Sequence, residues 1–359
     1  MRRVYALGAF IPLAVGLEVA NAPDAAVFFA SALGVLPTAQ LMSDATEALA
    51  ARTGPGIGGL LNVTFGNAPE LIIALFALDQ GLQEVVKASL VGSVIGNALL
   101  VLGAAMVFGG RGRGQRFNRD HAIGQSLGLL AVAAVLVAPT VVRAISGGGL
   151  PGVGERHHHF PGALGGVGLG VSVALVLVYA GGLVRQVRRR AGRFAAVPPE
   201  LAPDEPTWST RNSLILLAVA AVLVGAMSDI LVHSIQGASR SVGLSAFFIS
   251  VFVVGIVGNA AEHWVAVVVA IKNQMDLALN IALGSSVQIA MFVTPLLVLL
   301  SFVLGPYPMA LVFNGYEVAA LLAAGTMAVL VTLGPRSTWR QGAALLAVYV
   351  ALGVVFELA

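Results

Sequence analysis

The chain contains no cysteine among its 359 residues, which excludes disulfides, thiolate metal sites and cysteine nucleophiles. Charge is nearly as scarce. Only 10% of residues are charged, against roughly 25% in an ordinary soluble domain. The alternating strands of an outer-membrane barrel are also missing. What remains is 58% hydrophobic with a mean hydropathy of +0.91. Long apolar runs extend from end to end, so the natural solvent is a bilayer and the predicted class is an all-α integral membrane protein. The basic balance of +3 points away from nucleic acid, because the arginines fall between apolar segments rather than on one face.

Runs of apolar residues predict eleven transmembrane helices, near 4–20, 25–50, 57–79, 83–108, 121–143, 161–184, 212–236, 243–271, 275–303, 308–333 and 339–356. The basic start and apolar run at residues 1–20 resemble a signal peptide. No small-residue cleavage site follows, so this segment is read as a retained first helix. With a cytoplasmic N-terminus, sixteen of the 20 basic residues fall inside, and only Lys87, Arg143, Arg156 and Arg240 fall outside. This positive-inside bias sets the expected topology, a multi-pass protein of the cell inner membrane. The predicted organisation is an N-terminal helix (1–24), a first five-helix repeat (25–184), a proline-containing cytoplasmic linker (185–211) and a second five-helix repeat (212–359). The arginines at 185–193 are expected to meet anionic lipid.

The repeats rest on two matches that share an offset of 192 residues. Gly66-Asn67-Ala68-Pro69-Glu70 and Gly92-Ser93 recur as Gly258-Asn259-Ala260-Ala261-Glu262 and Gly284-Ser285. An odd number of helices per repeat inverts the second copy relative to the first. That is the plan of secondary transporters, which place the substrate site at mid-membrane between the halves. Duplication for packing alone would have no use for matched polar residues.

Glu70 and Glu262 lie inside apolar stretches, where an ionised carboxylate costs at least roughly 2.5 kcal/mol. A cation or a proton must compensate each one. Asn67 and Asn259 precede them by three residues, on the same predicted helix face, and Gly66 and Gly258 loosen the helix so that carbonyls could turn inward. Two carboxylates with amide and carbonyl oxygens and no sulfur suit a hard cation such as Ca²⁺. The same carboxylates can take protons when the ion leaves, which is the physical basis of an antiporter. Ca²⁺ and H⁺ enter as transported ions, and no cofactor is expected.

Ser93 and Asn97 on the fourth helix, and Ser285 and Gln288 on the ninth, share faces and are read as supporting polar groups. Gly92 and Gly96 also form a GxxxG pair, which gives packing an equal claim on this stretch. Glu47 and Asp229 stand in polar patches of the helices before the two motifs and are assigned as gates or relays. Glu317 and Glu18 lie near predicted helix ends and are expected to snorkel to the interface. His263 adjoins Glu262 and could tune it. The His157-His158-His159 run beside Glu155 reads as a solvated outside loop. An embedded metalloenzyme is disfavoured because His263 has no second histidine at the required spacing. A passive cation channel is the third class, set aside because the glutamates sit on inverted halves. Oligomeric state, a homo-oligomer included, is open at this level.

The stretch Asn62-Val63-Thr64-Phe65-Gly66-Asn67-Ala68-Pro69-Glu70, with Gly258 to His263 and Lys272 to Asn280, resembles the calcium/proton exchangers. These are the CAX branch of the calcium/cation antiporter superfamily, and the resemblance runs from about residue 40 to 330. It implies that Glu70 and Glu262 bind the exchanged cation and take up protons. It also matches Glu47 and Asp229 to the family's acidic positions, and Ser93, Asn97, Ser285 and Gln288 to its polar positions. Sodium-coupled relatives usually carry Gly-Thr-Ser before Pro-Glu; Gly-Asn-Ala here favours protons, while Pro69 keeps a Na⁺/Ca²⁺ exchanger as the alternative. The acidic helix found between the halves of many relatives is absent, with Glu200, Asp204 and Glu205 standing among arginines.

Overall fold

The computed structural model describes residues 4–109, 114–153, 163–189 and 208–359. The His157–His159 run, Glu155 and most of the predicted linker, with Glu200, Asp204 and Glu205, lie outside the described residues. Among the described residues twelve helices follow one another: α1 (Val4–Val19), α2 (Asp24–Phe65), α3 (Ala68–Asp79), α4 (Gln83–Gly109), α5 (Arg119–Arg143), α6 (Ala163–Arg189), α7 (Thr210–Val242), α8 (Ala246–Gly258), α9 (Ala260–Ile271), α10 (Met275–Leu300), α11 (Gly315–Thr332) and α12 (Trp339–Glu357). A two-residue ladder pairs β1 (Gln115–Arg116) antiparallel with β2 (Arg336–Ser337). Among the described residues, eight helices are long and apolar enough to cross a membrane, or nine if α8 and α9 form one bent span. The protein is thus all-α and built for the bilayer.

The helices gather into two compact units, Met1–Phe76 with Leu177–Gly243 and Ala77–Val176 with Leu244–Ala359. Unit 1 is organised by α2 and α7. Gly34 faces Met227 and Gly237 faces Asp24, so the two helices run antiparallel, ten residues of one matching ten of the other. Met42, Ala45, Leu49, Leu217, Ala220 and Val224 fill the seam. Lipid tails are as apolar as these side chains, so close approach through small residues supplies the attraction. Although α2 keeps helical hydrogen bonding to Phe65, it is not straight. A Cβ on Gly58 would overlap the Ala50 carbonyl, whereas eight residues of straight helix span about 12 Å. The predicted gap between 50 and 57 is therefore a helical reversal.

Unit 2 is built differently. Gly92 of α4 would place a Cβ inside the Val251 carbonyl of α8, and Gly255 would place one 2.8 Å from the Gly92 carbonyl carbon. The two backbones touch. Gly96, its predicted GxxxG partner, has open space around it, so packing accounts for Gly92 and not for Gly96.

Three helix boundaries depart from the sequence expectation. The predicted span 57–79 breaks after Phe65, and the predicted span 243–271 breaks at Asn259, where α8 and α9 bend by 63°. The span expected from 308 starts at Gly315 instead. Pro306 and Pro308 withhold amide donors, and a capping box between Asn314 and Glu317 fixes the start. The preceding Met309–Asn314 stretch is non-helical and buried apart from half-buried Ala310, and side chains satisfy its backbone. Ser301 accepts from Met309 N (2.7 Å), Thr140 from Phe313 N (2.9 Å) and Glu317 from Asn314 N (2.8 Å), while Lys87 Nζ donates to Val312 O (2.9 Å). Lys87 also pairs with Glu84 at 2.7 Å. Glu317 is 0% exposed and does not snorkel.

Candidate functional site

Both Gly-Asn-Ala-x-Glu motifs fall on helix breaks. Asn259 has φ −95° and ψ 7° and no side-chain capping bond, and the chain resumes helix at Ala260. Gly66 and Asn67 form the equivalent turn between α2 and α3. Glu70 and Glu262 consequently both sit in the first turn of a short half-helix. Exposed N–H groups and the positive end of the helix dipole act on each carboxylate there. Broken helices that aim their termini at charged ligands are the usual site architecture in transporters. The loosening expected of Gly66 and Gly258 is thus a full interruption. Asn67 and Asn259 sit at the break rather than within a continuous helix face, although Leu71 N and His263 N still bond back to their carbonyls at 3.1 and 3.0 Å.

Unit 2 carries a closed polar network around Asn97. Its Nδ2 donates to Asn259 Oδ1 and to Ser285 Oγ, both at 3.1 Å. Its Oδ1 lies 3.0 Å from His263 Nε2, so that ring nitrogen carries the hydrogen. Asn259 Nδ2 in turn donates to Ser93 Oγ (2.8 Å) and Gly255 O (2.9 Å). The Ser285 hydroxyl also hydrogen-bonds Glu262, and Glu262 Oε2 is buried with no hydrogen-bond partner among the described residues. A carboxylate oxygen left without a donor in a buried setting is costly unless a proton or cation meets it. Four expected residues of this unit (Ser93, Asn97, Asn259 and Ser285) thus join Glu262 in one cluster, and His263 belongs to it as well. The Asn259 oxygen offered to a cation by sequence is shared with Asn97 here, leaving one lone pair.

Local helix geometry explains how α4 and α10 present these groups. Each contains a wide π turn at the same repeat position, Gly96–Val101 and Ile289–Val293. Such turns insert one extra residue, redirect neighbouring side chains and concentrate at functional sites. Asn97 lies in the first of them and Gln288 immediately precedes the second.

In unit 1, Asn67 (3% exposed) and Glu70 (6%) are both buried. Glu47 is half-buried one helical turn from Asp44. The Asp44 carboxylate accepts from Tyr5 Oη (2.6 Å) and Gln40 Nε2 (2.7 Å). Asp229 pairs with His233 at 3.1 Å, one turn along α7. Sequence reasoning named Asp229 and overlooked His233, even though the i, i+4 spacing was there to read. Nothing local in sequence could have connected Tyr5 with Asp44.

The family profile described as sodium/calcium exchanger protein matches residues 24–188 and 212–356. The Bacillus subtilis (strain 168) "Ca(2+)/H(+) antiporter ChaA" is 39% identical over 365 residues, covering all of both chains. The Aphanothece halophytica "Ca(2+)/H(+) antiporter" is 37% identical, covering 97% of this chain and 94% of that one. The solved structure of native YfkE superposes with a TM-score of 0.81 at 37% identity, over 99% of this chain and all of that chain. A solved H⁺/Ca²⁺ exchanger CAX shares the fold at a TM-score of 0.71 and 13% identity, over 99% of this chain and 91% of that one. The chain belongs to the sodium/calcium exchanger protein family, in its calcium/proton exchanger branch.

Proposed function

We propose that the protein is a secondary antiporter that exchanges cytoplasmic Ca²⁺ for protons by alternating access. The observation that carries this reading is the placement of each motif glutamate in the first turn of a half-helix, with Glu262 Oε2 buried and unserved. Glu70 and Glu262 bind Ca²⁺ or protons in turn, with Asn67 and Asn259 contributing amide oxygens. Ser93, Asn97, Ser285 and Gln288 support them. A cation held by two carboxylates and replaced by protons keeps the site close to neutral in either state, which limits the cost of burial. The names of the similar proteins from Bacillus subtilis and Aphanothece halophytica support the same ion pair. In this reading the halves 25–184 and 212–359 are inverted repeats joined by the 185–211 linker. The N-terminus is cytoplasmic, the protein resides in the inner membrane, and its basic linker meets anionic lipid.

Everted membrane vesicles with an imposed pH gradient test the proposal. Ca²⁺ uptake is expected with the unmutated protein and a loss of at least about 100-fold with Glu70→Gln or Glu262→Gln, in line with removing an essential ion ligand. Uptake that survives both substitutions would sink the site assignment. Uptake driven by a sodium gradient instead of a pH gradient would establish the Na⁺/Ca²⁺ alternative.

A further inference from the structure

Ion exchange at the motif glutamates leaves one deeply buried acid of unit 2 without a role. Glu317 is the third residue of α11 and is 0% exposed, between the buried non-helical stretch Met309–Asn314 and the start of α4. Its Oε2 accepts from Asn314 N at 2.8 Å. Its Oε1 is buried with no hydrogen-bond partner among the described residues. The capping box accounts for the first oxygen and not for the second.

The charges around Glu317 decide what that second oxygen carries. Lys87 and Glu84, both on α4, act on it through space. Lys87 is 3% exposed, and its Nζ makes short contacts with Glu84 Oε1 (2.7 Å) and Val312 O (2.9 Å). Among the described residues Lys87 forms no ion pair with Glu317. The ammonium is thus matched by Glu84, and an ionised Glu317 would add an unmatched negative charge in a dry place. The N–H groups at the start of α11 are neutral donors and offset only part of that desolvation. A metal ion is the wrong compensator, because it would sit beside the Lys87 ammonium. A proton leaves the cluster of one ammonium and two carboxyls neutral. The other charged or titratable groups that the packed helices bring to this end are Arg143 on α5, Tyr316 on α11 and Glu357 on α12. The last follows Phe356, whose ring centroid is 6.1 Å from that of Tyr316.

We propose that Glu317 is a proton-binding site separate from the two motif glutamates, holding a proton that keeps the Met309–Asn314 stretch seated. Its carboxyl stays neutral in the folded protein, so Asn314 N and the cap are served without a buried charge. The proposal goes beyond the Ca²⁺/H⁺ reading and does not depend on it.

The test is infrared spectroscopy of full-length protein in proteoliposomes at neutral pH, paired with thermal unfolding in detergent. Glu317→Gln should remove one carboxylic-acid carbonyl band, and in the unmutated protein that band should persist when Ca²⁺ is added to saturation. Glutamine copies the shape and the acceptor of the neutral acid, so this variant should keep its melting temperature within about 2 °C. Glu317→Ala, which removes the acceptor for Asn314 N, should lower it by about 5 °C or more. No band lost in Glu317→Gln overturns the proposal, and so does a loss of stability equal to that of Glu317→Ala, the result expected of an ionised partner of Lys87. Disappearance of the Glu317 band on adding Ca²⁺ overturns the separation from the motif site. If no other acid band responds to Ca²⁺, the exchange reading fails while the Glu317 band still supports this site.

Discussion

The two units solve the problem of polar groups in an apolar chain in opposite ways. Unit 1 keeps the α2–α7 seam apolar, and two of its acids are each held by one or two side chains: Asp44 by Tyr5 and Gln40, Asp229 by His233. Unit 2 knots its polar side chains across helices. Asn97 alone links α4, α8–α9 and α10. Lys87 ties α4 to the buried strap before α11. Gln115 donates to two helix-end carbonyls, Gly109 O at 2.8 Å and Ala270 O at 2.6 Å. His121 and Gln125 converge on Asn280 at 2.8 and 2.7 Å. A seam of small apolar residues has many near-equivalent registers, whereas a hydrogen-bonded network has one. Unit 1 is held along this seam by shape, and unit 2 by directed hydrogen bonds.

Four substitutions would break or sharpen this contrast. The largest effect is expected from Asn97→Ala in unit 2. It leaves Asn259, Ser285 and His263 each short of a partner, and buried orphans cost about 1–3 kcal/mol apiece. The melting temperature in detergent should fall by many degrees and ion flux should collapse. A variant with near-normal stability would show that the network does not hold unit 2 together.

Second come paired glycine substitutions, one per unit. Gly255→Ala drives a methyl against the α4 backbone, which cannot yield, and overpacking of this kind costs about 1–3 kcal/mol. Gly34→Ala meets the flexible end of Met227, 2.8 Å from Sδ, and should cost less than about 1 kcal/mol. Equal losses of thermal stability in the two variants would erase the distinction between seam and knot. The smallest effect is expected from Gly96→Ala, where the added methyl meets nothing within 4 Å. Stability should hold or rise slightly, since alanine is the better helix former by about 1 kcal/mol. A marked loss of flux at unchanged stability would show that the π turn itself must stay pliable for transport.

Much of this was legible in the sequence, for identifiable reasons. Long apolar runs announce membrane helices directly. Gly66 and Gly258 announced weakness in their helices, and the structure turns that weakness into breaks. Hydropathy cannot see such breaks, because Ala68 to Leu78 and Ala260 to Ile271 are as apolar as the helices they interrupt. The late start of α11 was hidden for the same reason: Met309 to Phe313 reads as membrane-spanning while folding as a strap. Glu317 was misread as a snorkelling end residue because its partners depend on tertiary placement. Asn314 is nearby in sequence, but Lys87, which serves the same strap, lies 225 residues from Val312. The hub role of Asn97 likewise depends on contacts more than 160 residues away.

That strap also dictates an order of assembly. Buried irregular backbone needs a partner for each polar group, and two of the donors and acceptors that serve it, Lys87 and Thr140, come from the first half of the chain. A nascent second half therefore cannot finish its own fold by local interactions. The stretch between α10 and α11 takes its burial partners from α4 and α5. Synthesis from the N-terminus supplies them first, so the later segment completes its fold on side chains already in place.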